Sequence, residues 1–441
     1  MRHCKRISAA ILAVILVMMN LLYLVSGAEE NYTADVLPEI EGCGSYYLYN
    51  FENDRVLIES GMDTPVYPAS TVKLMTGILA IEHFGDDIEK RITITKDMLR
   101  TAAGNQVGLV AGEEVSVKDM LYATLEGGAN DAALVLACSV AGTVDDFVSQ
   151  MNTKAALLGA YNTHYTNPTG IHNDAMITTT ADTAIIAKYA ASLPLLVEIT
   201  SAPKYVMDKT NMKDFRNIYN RNCLISKFYD TYESSYRYEY ATGMNAGSTG
   251  MAGNVVVATA VNKDGDLNYL AIAMAADGNE KVNYAYETVT KMFKWAFSSW
   301  GYIDVLSTDK LLAEIPVKLS SAVDHVTLFP KETLRVYLPT TTDVETELEY
   351  SCTMSYDSLS APVKKGDVAG TVTVMHNGEV IGSSDLVTNI DVERSELLYT
   401  LAQIEEFTKS KFFIGTVISA VILTGVYIFI NARVSTKPRG F

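Results

Sequence analysis

The sequence predicts an α+β protein: helices packed on an antiparallel sheet, then a small all-β domain, then a C-terminal transmembrane helix. Three observations carry this. Strand-like stretches at 44–58 and 238–274 bracket a series of apolar helical runs. After Trp300 the texture changes to short alternating runs punctuated by turn residues. Finally, Phe412–Ile430 carries no charge and is long enough to span a bilayer.

In chain order, residues 1–28 read as a signal peptide, with Arg2, Lys5 and Arg6 before an apolar core and the small residues Ser26-Gly27-Ala28 at its end. The apolar run is long, so an uncleaved anchor is the alternative. Ser45–Tyr49 and Arg55–Ile58 read as two strands joined by Asn50–Asp54. A helix follows from Val72, apolar nearly all round and therefore buried. Ser116, with Asp119 three residues on, is set to cap a second helix. Ala132–Val140 and Thr180–Ala191 are helical, and Asn167–His172 is a turn. Strands at Tyr238–Met244, Asn254–Ala260 and Leu267–Met274 close the region, with Gly247–Gly253 read as a turn, before a last helix at Tyr284–Phe297. This domain runs over 29–300 and the all-β domain over 305–392. A linker helix at 393–411 leads to the anchor at 412–430 and a tail at 431–441. Arg433, Lys437 and Arg439 put that tail in the cytoplasm and the bulk of the chain outside.

The formal net charge is −17, and loss of the three basic residues in the first 28 leaves about −20, a poor balance for binding nucleic acid. The six histidines are scattered without ligand spacing, so no metal or other cofactor is expected. Cys43, Cys138, Cys223 and Cys352 are far apart and read as buried free thiols.

Chemistry concentrates at Tyr67–Gly77. Pro68 suits a first turn, and Ser70 precedes Lys73 by three residues, a spacing that makes the two side chains neighbours on a helix. Serine is a poor nucleophile without an adjacent base. Lysine becomes one when burial and nearby charge lower its pKa. Ser-x-x-Lys by itself is a common pattern and needs companions.

The companions are present. Tyr67–Thr76 resembles the active-serine motif of the low-molecular-mass penicillin-binding proteins, the serine D-alanyl-D-alanine carboxypeptidases. Gly108–Glu113, Asn130–Ala133, Asn167–His172 and Ala361–Gly366 resemble further signatures of that family, in order. The resemblance implies a penicillin-binding/β-lactamase-like transpeptidase domain. It also implies peptidoglycan stem peptides as substrate, β-lactams as covalent inhibitors, and a set of Ser-x-x-Lys, Ser-x-Asn and Lys-Thr-Gly. The first is intact as Ser70 and Lys73. The second reads Gly128-Ala129-Asn130, keeping the asparagine but not the serine. In the third, Asn245 stands in the lysine's place and Ala246 in the threonine's, before Gly247 and Ser248. By the resemblance Ser70, Lys73 and Asn130 are the catalytic group, and Asn245, Ala246, Gly247 and Ser248 line the substrate, with Ser70 and Ser248 N–H groups forming an oxyanion hole. Three readings fit: a membrane-anchored carboxypeptidase weakened by its altered motifs, a catalytically silent wall- or partner-binding relative, and an acyl-serine hydrolase with a changed substrate.

Overall fold

The alternation near the start of the chain builds β1 (Cys43–Asn50) and β2 (Arg55–Ser60), and the buried Asn50 shapes their hairpin by accepting from the Asn53 backbone N–H at 2.8 Å. This computed structural model describes residues 36–232 and 234–435. The expected signal peptide and the tail beyond Ser435 lie outside the described residues. The chain divides into two compact units, one of residues up to Gly301 with Pro339–Thr341, the other of Tyr302–Leu338 with the residues from Thr342 onward.

In the first unit the apolar run becomes α1 (Val72–Phe84), stopped by Gly85 at φ 53°. The short strands β3 (Arg91–Thr93) and β4 (Glu114–Ser116) pair and lead into α2 (Val117–Leu125). Ser116 and Asp119 form the expected capping box: the Ser116 hydroxyl accepts from Asp119 N–H at 3.0 Å and the Asp119 carboxylate from Ser116 N–H at 3.2 Å. Next come α3 (Asn130–Ala141), α4 (Val144–Leu158), α5 (Thr180–Ala191) and α6 (Pro194–Ser201), which opens on proline. A hairpin of β5 (Lys204–Met207) and β6 (Arg216–Tyr219) precedes β7 (Ala241–Thr249), β8 (Gly253–Val261), β9 (Asn268–Ala276) and α7 (Tyr284–Ser299).

Strands from both ends of the unit form one antiparallel sheet in the order β2-β1-β9-β8-β7. Val72, Met75 and Ile78 of α1 are fully buried in one core with Val255, Val257, Leu270 and Ile272 of the sheet. Strand β7 is an edge, and it departs from expectation. The turn read at Gly247–Gly253 shrinks to Gly250–Ala252, because Asn245 to Thr249 pair along β8 from Val257 to Gly253. Small residues with weak strand propensity are held in the ladder by β8 and by packing against the turn that carries Ser70.

Strand β10 (Trp300–Leu306) follows α7. The second unit contains β11 (Ala313–Lys318), β12 (His325–Pro330), β13 (Leu334–Pro339), β14 (Leu348–Met354), β15 (Leu359–Ser360), β16 (Val368–His376) and β17 (Glu379–Thr388). Six of these strands form a sheet in the order β14-β16-β17-β12-β11-β15 over a core that includes Ile315, Leu328, Val372 and Leu386. Asn377 and Gly378, at φ 51° and 80°, make the tight hairpin between β16 and β17. Two helices end the described chain, α8 (Glu396–Lys409) and α9 (Lys411–Ser435). Lys411–Ala432 is 22 residues at mean hydropathy 2.3, long and apolar enough to cross a membrane. Among the described residues the four cysteines are free, as expected, but only Cys223 is buried. The other three lie half-buried, Cys43 and Cys352 on strands and Cys138 near the end of a helix.

One contact couples this fold to the site. Gly170, at φ 80°, lies so close to the turn ahead of α1 that an added Cβ would stand 2.0 Å from the Ala69 carbonyl oxygen. Gly170→Ala combines that clash with a left-handed backbone and should cost at least about 2 kcal/mol of stability in urea unfolding.

Candidate active site

Ser70 sits in a single 3-10 turn, Ala69–Thr71, before α1. The turn is closed by Thr71, whose N–H and hydroxyl both donate to the Pro68 carbonyl, at 3.2 and 2.6 Å. Ala69 takes φ 48°, a left-handed conformation that costs a non-glycine residue roughly 1 kcal/mol. Ser70 emerges on the wall of a cleft of about 330 Å³.

Lys73 lies beneath that wall, 1% exposed. Helical spacing makes Lys73 a neighbour of Ser70; its Nζ donates to the Thr169 carbonyl. Burial first, and the Arg221 positive charge second, hold the Lys73 pKa down to about 7.

The turn read at Asn167–His172 is what presents that carbonyl. Asn167 Oδ1 accepts from the Thr169 N–H at 3.1 Å, the Thr169 hydroxyl at 2.8 Å and the Gly170 N–H at 2.9 Å. Thr76 pins the loop to α1 by donating to the Pro168 carbonyl at 2.8 Å. His172, by contrast, packs edge-on against Tyr67 and pairs with Asp174, a structural position.

The segment before α3 is organised by Asp131. Its buried carboxylate accepts from the N–H groups of Val107, Gly108 and Leu109 at 2.9–3.0 Å. Glu113, also buried, binds Arg216 and accepts from Thr210. The stretch at Gly108–Glu113 therefore frames the cleft rather than entering it. Asn130 does enter it: Nδ2 donates to the Ala103 carbonyl at 2.7 Å, while the buried Oδ1 has no hydrogen-bond partner among the described residues.

The opposite wall is the edge of β7. A Cβ on Gly247 would lie 2.5 Å from Ser70 Cβ and 2.8 Å from Ser70 Oγ, so only glycine allows the strand this close. Ala246, Gly247 and Ser248 line the cleft, but Asn245 does not. The residue is 4% exposed, with Nδ2 at 3.5 Å from the Leu125 carbonyl and Oδ1 unpartnered among the described residues. Asn245, expected by its motif position to contact substrate, is thus buried beside the cleft rather than on its lining. Nearby in sequence to Leu125, Glu126 is buried, and burial pushes its pKa up to about 8 against the smaller, opposing effect of the Tyr205 backbone.

The cleft also holds a residue that the motif reading passed over. Arg221 lies on its wall, with Nη1 donating to Asn105 Oδ1 at 3.3 Å and the guanidinium 4.5 Å from the Tyr229 ring centroid. Its one legible sign was a lone basic residue between two asparagines.

These features converge on one class of protein. A model of the D-alanyl-D-alanine carboxypeptidase family matches residues 32–278, and one of the penicillin-binding protein 5 C-terminal domain matches 300–394. The chain is 28% identical to the D-alanyl-D-alanine carboxypeptidase DacF of Bacillus subtilis over 83% of its own length and 90% of that protein. It is 26% identical to DacC of Escherichia coli over 79% and 84% of the two chains. In structure it resembles penicillin-binding protein 5 of Haemophilus influenzae, with TM-score 0.56, 24% identity, and coverage of 81% of this chain and 100% of that one. The chain belongs to the D-alanyl-D-alanine carboxypeptidase family, the low-molecular-mass penicillin-binding proteins, and is a serine-type hydrolase of that class.

Two substitutions test the geometry. Gly247→Ala should lower the rate of Ser70 acylation by penicillin about a hundredfold or more, because the added methyl displaces Ser70 by an ångström-scale shift. Glu126→Gln should flatten stability against pH. The raised carboxyl pKa makes the wild-type chain lose up to about 1.4 kcal/mol per pH unit between the unfolded value and about 8, a slope that urea unfolding at pH 5, 6, 7 and 8 would resolve.

Proposed function

We propose that this protein is a membrane-anchored D-Ala-D-Ala carboxypeptidase that removes the terminal D-alanine of peptidoglycan stem peptides through an acyl-Ser70 intermediate. The observation that carries the reading is a buried lysine with a pKa of about 7, placed on the first turn after a cleft-lining serine. A lysine in that state is about half unprotonated near neutral pH, and the unprotonated fraction can accept a proton.

Lys73 Nζ takes the Ser70 hydroxyl proton as Oγ attacks the carbonyl carbon of the D-Ala-D-Ala peptide bond. The carbonyl oxygen, now negative, is received by the backbone N–H groups of Ser70 and Ser248, aided by the position of Ser70 ahead of the α1 N-terminus. The C–N bond breaks, the proton from Lys73 passes to the leaving amine, and D-alanine departs. Water then attacks the ester carbonyl carbon as Lys73 accepts its proton; the C–Oγ bond breaks, Lys73 returns the proton to Ser70 Oγ, and the trimmed peptide leaves. Asn130, with a free Oδ1, positions the substrate amide, and edge strand β7 offers its backbone to an extended peptide. Gly128 supplies no hydroxyl to relay protons, so turnover is slower than with an intact second motif. β-Lactams acylate the same serine. Helix α9 holds the chain to the membrane, with the carboxypeptidase domain outside and the C-terminus in the cytoplasm. The changed-substrate reading is favoured only by the retreat of Asn245 from the cleft.

Labelled penicillin should attach to Ser70 and to no other residue, and Ser70→Ala should abolish the label. The acylation rate should fall as pH drops through about 7, since protonated Lys73 cannot act as base, tenfold per unit at the limit. Label that persists in Ser70→Ala, or a pH-independent rate, would refute the mechanism. Release of D-alanine from diacetyl-lysyl-D-Ala-D-Ala tests the substrate.

A further inference from the structure

We propose that Asn105 is a positioning residue for acylation: it holds segment 127–130 so that Asn130 meets the substrate amide. The assignment rests on the acyl-Ser70 reading of the site and deepens it.

Segment 127–130 has little of its own to hold it. Gly127 and Gly128 carry no side chains, and Ala129, at the N-cap of α3, offers no side-chain oxygen to cap the helix. Two adjacent glycines leave the backbone free to vary unless something outside fixes it. Gly128 stands at φ 64°, a left-handed backbone that favours glycine. A Cβ there would lie 2.9 Å from Arg221 Cδ and 3.6 Å from Asn105 Nδ2. Two side chains distant in sequence therefore close over the place where the second motif lacks one. Both also line the cleft.

Asn105 makes the bonds this segment needs. Its Nδ2 donates to the Gly127 carbonyl at 2.7 Å, and its own carbonyl accepts from the Asn130 N–H at 2.7 Å. One residue thus ties down the chain on both sides of Gly128. Asn105 Oδ1 accepts from Arg221 Nη1 at 3.3 Å. A donor contact at one end of the amide and an acceptor contact at the other fix which way it faces. The neighbouring backbone completes the arrangement. The Ala103 carbonyl accepts from Asn130 Nδ2, and Gly104, at φ 71°, comes so near that an added Cβ would stand 3.0 Å from that nitrogen. Asn130 Oδ1 is left without a partner among the described residues. Asp131 anchors the Val107, Gly108 and Leu109 N–H groups to α3 independently of the Asn105 side chain. Removing that side chain therefore loosens the glycine pair without unseating the loop. Asn105 is exposed, and exposed side chains seldom carry much stability.

The test separates the chemical step from binding and from folding. Acylation of the full-length chain, in detergent, by a fluorescent penicillin is followed by stopped flow. Asn105→Ala should slow the acylation step roughly ten- to a hundredfold, the effect of an ångström-scale misplacement. Affinity for the penicillin before acylation should stay within about threefold, and the urea midpoint should not move. Asn105→Asp keeps the shape and an acceptor for Arg221 but loses the donor to Gly127, and it should lose as much rate. Asn130→Ala should slow acylation too, and adding Asn105→Ala to it should change the rate by less than about threefold, because one residue acts through the other. A rate within about threefold of the unsubstituted chain in either Asn105 variant would overturn the assignment. So would a loss confined to affinity, a rate loss matched by a fall in the urea midpoint, or full additivity with Asn130→Ala. Failure of the Ser70 reading looks different: the unsubstituted chain takes no label, and the assignment falls with it. A labelled chain indifferent to Asn105 refutes the assignment alone.

Discussion

A lysine ammonium shut away from water, with the Thr169 carbonyl as its polar contact, is the constraint on which the rest of the site depends. Burying a charged group is expensive, and the cost falls when the group gives up its proton. Lys73 on α1 meets that condition because the walls around it are complete. The Asn167 loop supplies the acceptor, and Thr76 bonds that loop back to the same helix one turn further on. The neighbours of Lys73 on α1, Val72, Leu74 and Met75, belong to the hydrophobic core. The basicity of the site is thus a property of how helix, loop and sheet close over one side chain.

Closure at this distance requires backbone where side chains would ordinarily stand. Three glycines meet the need from three directions. Gly170 lets the loop touch Ala69, Gly247 lets β7 touch Ser70, and Gly128 leaves a passage for Arg221. The first two bring backbone against the turn that carries Ser70, with Ala69 left-handed in front of it. The third acts on charge rather than approach. A chain whose net charge is −17 keeps acids off the cleft lining among its described residues and leaves one arginine there. The formal charge on the cleft lining is therefore opposite in sign to the net charge of the chain.

Much of this architecture was legible in the sequence because it rests on local rules. The apolar run from Val72, the Ser116–Asp119 capping box, the Thr180–Ala191 helix and the paired strands at both ends of the first unit follow from periodicity and caps. So does the apolar helix from Lys411, and the Asn377-Gly378 turn follows from the φ values those residues tolerate. Ser70, Asn130, Ala246, Gly247 and Ser248 were found by their motifs and do share one cleft.

Tertiary structure decided what depends on residues distant in sequence. Ala246-Gly247-Ser248-Thr249 has the composition of a turn and becomes strand only because β8 pairs with it and the Ser70 turn packs against it. Lys73 bonds to Thr169, 96 residues away. Asn245 sits at the motif position of a lysine yet is buried beside the cleft rather than on its lining. Arg221 had no motif to mark it, and only the folded chain shows that it occupies the space beside Gly128. Hydrophobic period and turn chemistry are encoded residue by residue, whereas proximity, burial and the resulting pKa belong to the assembled fold.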